Sequence, residues 1–211
     1  MTNSKDGLVQ RGRLGRAVVE LVVVFVGVTA AFFVEGYRGK LEQREQLRQA
    51  TDGIITELRQ HEARAREHAD SISSRINAWT SDAAAGRKAV PAYYLIPGAT
   101  HPPTAAWDAA VASGVASLYE PALRLELGYF YAEFVGISDN YVRRLEFIER
   151  EVLPRARTGP GAFYDSSDRL LPEFAVEMDL LGDFGADLIR VSEWAGRLRA
   201  RLELAGSGGA S

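Results

Sequence analysis

Apolar residues recur along most of this chain in steps of three and four. Leu47, Ala50, Ile54, Leu58, His61, Ala65, His68, Ile72, Ile76 and Trp79 form a first stripe, with the two histidines as its half-apolar members. That spacing is one face of an amphipathic helix, and Arg, Glu, Gln and Asp fill the other faces. It predicts a nearly continuous helix to about Asp82, with Gly36, Gly39 and Gly53 lowering the local propensity enough for a bend. A second stripe runs Leu123, Leu127, Phe130, Phe134, Ile137, Tyr141, Leu145, Ile148 and Val152, behind Pro121 as first helical residue and up to a stop at Pro154. A third follows Pro172: Phe174, Met178, Leu181, Leu188, Val191, Ala195, Leu198 and Leu202.

Between the stripes the pattern breaks. Gly86, Pro91, Pro97, Gly98, Pro102 and Pro103 punctuate residues 83–103, which read as an ordered loop anchored by Tyr93, Tyr94, Leu95 and Ile96. Thr104 is placed to cap a short helix over Ala105–Ala112, ended by Ser113 and Gly114. Residues 155–168 read as a second loop, and residues 206–211, all Gly, Ser and Ala, as a flexible tail. Sustained alternation of the kind a half-buried strand needs is missing. The expected fold is all-α: three long helices and one short one, packed as an antiparallel bundle.

The N-terminal part has a different character. Residues 21–34 (LVVVFVGVTAAFFV) carry no charge but reach only about 21 Å as a helix. Extending to residues 17–37 gives about 31 Å, enough for a hydrocarbon core, with Glu20 and Glu35 near the ends where charge costs less. The expected organisation is a basic tail over 1–16, a transmembrane anchor over 17–37, a helical domain over 38–205 and the tail. Two rivals are a cleaved signal peptide ending near Val28-Thr29-Ala30, against which Phe32, Phe33 and Val34 prolong the apolar run, and a buried core helix. Lys5, Arg11, Arg13 and Arg16 before the span are matched by Arg38, Lys40, Arg44 and Arg48 after it, so flanking charge does not set the topology. The short basic tail favours a cytoplasmic N-terminus with the bundle outside. Within the span, Glu20, Gly27 and Ala31 share a stripe. Gly27 and Ala31 form a small-xxx-small pair suited to self-association in lipid.

Composition narrows the classes of function. The 211 residues carry a net charge of −3 with both signs interspersed, unlike the clustered basic face a nucleic-acid binder needs. The chain has no cysteine, which excludes disulfides and thiolate catalysis.

Two patches carry a resemblance. The first is Gly27-Val28 with Ala31-Phe32, then Glu35, Tyr37 and Arg38; the second joins Trp107 and Ser113-Gly114 to Leu118, Leu123, Leu127 and Tyr131. In these the chain resembles a family of uncharacterised bacterial single-pass membrane proteins, a domain of unknown function. The resemblance covers most of the chain but uses common residue types. It implies an N-terminal anchor in a bacterial inner membrane and a helical C-terminal region, and supplies no activity and no catalytic residue.

Candidate chemistry is sparse. His61 and His68 lie seven residues apart on one face, with Glu57 a turn before His61; imidazole and carboxylate suit zinc, but the spacing is not of the HExxH type and the third histidine, His101, is in a loop. Both histidines are expected at the edge of the bundle stripe, and no metal or other cofactor is expected. Asp165 and Asp168 around Ser166-Ser167 are expected as a turn and cap rather than an acid–base pair. Gly159-Pro160-Gly161 is only a turn. Of the aromatics on the short and middle helices, Trp107, Tyr131 and Tyr141 are the candidates for a ligand crevice. The expected function is a non-enzymatic, membrane-tethered interaction or scaffold domain, with membrane lipid, an unknown protein partner and self-association through the anchor, and without nucleic acid. The alternative is an extracytoplasmic small-ligand sensor, and a hydrolase is a distant third. A pocket of several hundred Å³ between helices favours the sensor; a flat aromatic face favours the scaffold.

Overall fold

The computed structural model describes the backbone of residues 6–96 and 102–207, and side chains at 25, 35, 37–96 and 102–206. Its elements are α1 (Asp6–Ala84), α2 (Ala105–Ala112), α3 (Pro121–Phe147), α4 (Leu153–Thr158) and α5 (Pro172–Ser207), with 3₁₀ turns at Val115–Leu118 and Pro160–Phe163. Among the described residues there is no strand, only an isolated bridge between Tyr164 and Leu170. The chain divides into two units, Met1–Leu47 and Arg48–Ser211.

The first unit is the N-terminal part of α1. Among the described residues no helix is long and apolar enough to cross a membrane. The expected anchor over 17–37, with Glu20, Gly27 and Ala31, lies outside the described side chains except at Phe25, Glu35 and Tyr37, all three exposed.

In the second unit the three stripes become one core. Ile54, Leu58, His61 and Ile72 of α1, Leu127, Phe130 and Ile137 of α3, and Leu188, Val191, Leu198 and Leu202 of α5 are all buried. Cross-contacts tie the helices pairwise. Arg59 pairs with Glu203, and Arg199 with Glu62 (3.4 and 3.1 Å). The Ser192 hydroxyl donates to the Glu62 carbonyl, and a Cβ on Gly185 would lie 3.2 Å from Ile72 Cγ2. Between α3 and α5, Trp194 Nε1 donates to Glu126, Arg190 pairs with Glu133, and Arg144 pairs with Glu177. A smaller cluster of Ile148, Val152, Phe163 and Phe174 is covered by the loop residues Val90, Tyr93 and Leu95.

Three local expectations are corrected. Pro154 does not end the second helix. The helix widens into a π-helical turn over Ile148–Val152 and continues as α4, with Pro154 in its first turn. A proline removes one ladder hydrogen bond and crowds the preceding turn, and a wider turn accommodates both. Thr104 does not cap α2: its hydroxyl donates instead to Asp108 Oδ2 at 2.6 Å. The last helix runs through Gly206 to Ser207 rather than ending before it. Glu120 does cap α3, accepting from the Ala122 and Leu123 amides at 2.9 Å each, with Pro121 behind it as expected. Those two amides hold the Glu120 carboxyl below the usual carboxylate range.

Candidate functional site

The densest polar arrangement in the core centres on Glu57. Its place in α1, three residues after Ile54 and four before His61, turns it inward, and it is buried. One carboxyl oxygen accepts the Ala106 amide at 2.7 Å; the other accepts the Tyr131 hydroxyl at 3.0 Å. Glu57 therefore supplies from α1 the cap that α2 lacks locally, satisfying an otherwise orphaned donor of its first turn. Trp107, next along α2, stacks on Tyr131 with ring centroids 5.6 Å apart and planes 3° from parallel. A glutamate, a tyrosine and a tryptophan thus fasten the short helix onto α1 and α3. Burial, then the neighbouring Glu57 carboxyl, raises the Tyr131 phenol well above its ordinary value.

His61 lies one turn further along α1 and is 1% exposed. Phe134 meets it edge-on at 4.6 Å, with Phe130 and Tyr131 each at 6.1 Å. Its ring bonds the Pro103 backbone, while Nε2 has no hydrogen-bond partner among the described residues. Burial is the main reason its pKa falls from 6.5 to about 4, with Arg64 adding to the fall and the Pro103 bond opposing it, so the imidazole is neutral at pH 7. His68 is elsewhere, Nδ1 lying 2.8 Å from the Tyr94 hydroxyl. Among the described residues no three His, Cys, Asp or Glu side chains gather where a metal would be held.

Tyr141 is separated from Trp107 and Tyr131. It follows Tyr131 by ten residues, about 15 Å along α3. There its hydroxyl accepts the Ile96 amide at 2.6 Å and donates to the Tyr94 carbonyl at 3.4 Å, pinning the 85–96 loop. The structure thus brings Trp107 and Tyr131 together and places Tyr141 apart from them, against the loop. Asp165 makes a turn, accepting the Ser167 and Arg169 amides at 2.8 and 3.0 Å, and Asp168 sits beyond it at φ 61°.

An open, largely apolar concavity lies elsewhere, between α3 and α5. A groove of about 740 Å³ is lined from α3 by Ile137, Asn140, Arg143, Arg144 and Phe147, and from α5 by residues including Glu173, Val176, Glu177, Leu180, Asp183, Phe184 and Asp187. Arg144 and Glu177 form its half of the interhelix lock: Nη2 to Oε1 is 2.6 Å and both side chains are nearly buried. Arg144 also donates to the Leu180 carbonyl at 2.5 Å and lies over the Phe184 ring at 5.8 Å. Val176 is 58% and Leu180 46% exposed on the floor beside them. Sequence reasoning missed this groove, because two exposed apolar residues one turn apart on α5 do not stand out in a helix that also exposes Ile189 and Leu204. Comparison with protein-family models, with curated proteins and with solved structures gives no match.

Proposed function

We propose that the chain is a membrane-tethered, non-catalytic interaction domain: residues 17–37 form the anchor, and the helices beyond it form a bundle that holds out the α3–α5 groove. The observation that carries this reading is the contrast between two kinds of group. The buried carboxylates are spent on structure: Glu57 on α2 and Tyr131, and Glu177 on Arg144. The apolar surface at Val176 and Leu180 is left open in a concave face. The cross-contacts support α5 running antiparallel to both other long helices. Partners on α3 rise from Glu126 through Glu133 to Arg144 as those on α5 fall from Trp194 through Arg190 to Glu177. Partners of α1 and α3 rise together, from Glu57 with Tyr131 to His61 with Phe134.

The small-ligand sensor has one observation in its favour, since the groove volume is in the range of ligand pockets. A small ligand is usually enclosed over most of its surface, however, and this groove is open along the helices. The resemblance to anchored bacterial proteins, with the bundle outside the cytoplasm, fits either reading. Photo-crosslinking in cells separates them: a benzophenone side chain at Leu180 should give protein adducts, and one at Ser71, on the charged face of α1, should give none. Failure of both positions to yield an adduct refutes the interaction domain.

A further inference from the structure

We infer that the groove between α3 and α5 receives one helix of a partner protein, amphipathic and basic, which completes a four-helix arrangement; this rests on the interaction-domain reading. Shape is the first argument. The α5 wall runs from Pro172 to Asp187, about 22 Å of helix, and the α3 wall from Ile137 to Phe147, about 15 Å. Two helices locked side by side by Arg144 and Glu177 leave a valley whose natural filler is a third rod of similar length, three to four turns. The floor supplies apolar contact at Val176, Leu180, Phe184 and Ile137, positions a stripe of Leu or Met at helical spacing would cover.

Charge decides the partner's chemistry. Arg144 and Glu177 cancel, which leaves Glu173, Asp183 and Asp187 on the α5 wall against Arg143 on the other. Asp187 already pairs with Arg190 at 2.8 Å, and Arg143 is engaged by Asn140. Glu173 and Asp183 make no ion pair or hydrogen bond among the described residues, and both are exposed. They stand ten residues apart on α5, about 15 Å. A docked helix lying along α5 meets both when it carries Lys or Arg at two positions about ten residues apart, flanking its apolar stripe. A helix with acidic residues there is repelled, so the same two carboxylates select the partner and reject its charge-reversed counterpart.

The test uses the full chain in zwitterionic detergent and two fluorescent, hydrocarbon-stapled 14-residue helices. Both have one Leu stripe; one carries Lys and the other Glu at positions 2 and 12. Fluorescence anisotropy should show the Lys helix binding the wild-type chain about tenfold tighter than the Glu helix, a gap that closes at high salt. The double variant Glu173→Lys/Asp183→Lys should reverse the preference, and Leu180→Asp should abolish binding of both; all three positions are exposed, and far-UV circular dichroism checks the fold. Equal affinities, no binding, or a preference unmoved by the double reversal overturns the proposal. So does a dimer of the chain itself that Leu180→Asp dissociates, which would assign the groove to a second copy. Crosslinking at Leu180 alongside equal affinities removes the basic helix while leaving the interaction domain intact.

Discussion

Acidification should destabilise the helical domain through His61 before any carboxylate takes part. In the native chain the imidazole is 1% exposed, packed among Phe130, Tyr131 and Phe134, with a pKa of about 4 against 6.5 when solvated. Between those values the unfolded chain takes up a proton that the native chain refuses. The contribution is therefore complete above about pH 6.5, declines as pH falls towards about 4, and is constant below. Each pH unit inside the window is worth about 1.4 kcal/mol, so the loss from about pH 7.5 is roughly 1.4 kcal/mol by pH 5.5 and roughly 2.5 kcal/mol by pH 4.5. His68, also lowered by burial, adds in the same direction. Glu120, Glu151 and Asp165 have lowered pKa values, so their contributions fade only as pH falls through the carboxylate range, from 4.5 downward for the two glutamates, which overlaps the acid end of the histidine window.

The assay is urea unfolding followed by tryptophan fluorescence, because Trp79, Trp107 and Trp194 all lie beyond Leu47 and report on the second unit alone. His61→Gln keeps a donor for the Pro103 carbonyl and does not titrate. It should flatten the slope between about pH 6.5 and pH 4.5 by close to the full amount, whatever its cost at neutral pH. His68→Gln is the control and should change the slope less. A His61→Gln chain that loses stability with acid as steeply as the wild type refutes the assignment.

Three further outcomes follow from the same geometry. Glu57→Leu strands the Ala106 amide and the Tyr131 hydroxyl in the core and should cost about 2–4 kcal/mol, whereas Glu57→Gln, able to accept from Ala106 and donate to Tyr131, should cost under about 1.5 kcal/mol by the same unfolding assay. Gly182→Ala should raise stability by about 0.5–1 kcal/mol, since an added Cβ meets nothing within 4 Å; Gly185→Ala, whose Cβ would press on Ile72 at 3.2 Å, should gain less or lose, as thermal unfolding would show. In a membrane-based dimerisation assay Gly27→Leu should weaken self-association and Phe25→Leu should not; equal signals would leave the anchor monomeric.

The parts legible in the sequence were those written in periodicity. The stripes at Ile54–Leu58–Ile72, Leu127–Phe130–Ile137 and Leu188–Val191–Leu198 are buried as their spacing requires, because a single helix can hide only one face. What spacing cannot show is which helix supplies a missing partner. Thr104 sits where a cap should be, yet the first turn of α2 is served by Glu57, 49 residues earlier. The one available hint was phase: a glutamate on the inward side of an apolar stripe must be satisfied by something, and an α2 amide and the Tyr131 hydroxyl are what it finds.

The same limit explains why the aromatic candidates divided and the groove went unseen. Trp107 and Tyr131 meet because Glu57 seats α2 against α3, while Tyr141 falls about three turns further along α3, at the height of the 85–96 loop. Along α5, Val176 and Leu180, like Ile189 and Leu204, are exposed apolar side chains. Alone, each is an ordinary exposed apolar residue that needs no explanation. They acquire meaning only when Arg144, 33 residues before Glu177, locks α3 alongside and turns two surface side chains into the floor of a groove. A single buried ion pair at that point costs about as much desolvation as it returns in attraction, so its consequence is register rather than stability. Replacing both partners together by Met and Leu should leave the fold standing while changing how α3 lies on α5, and with it the groove.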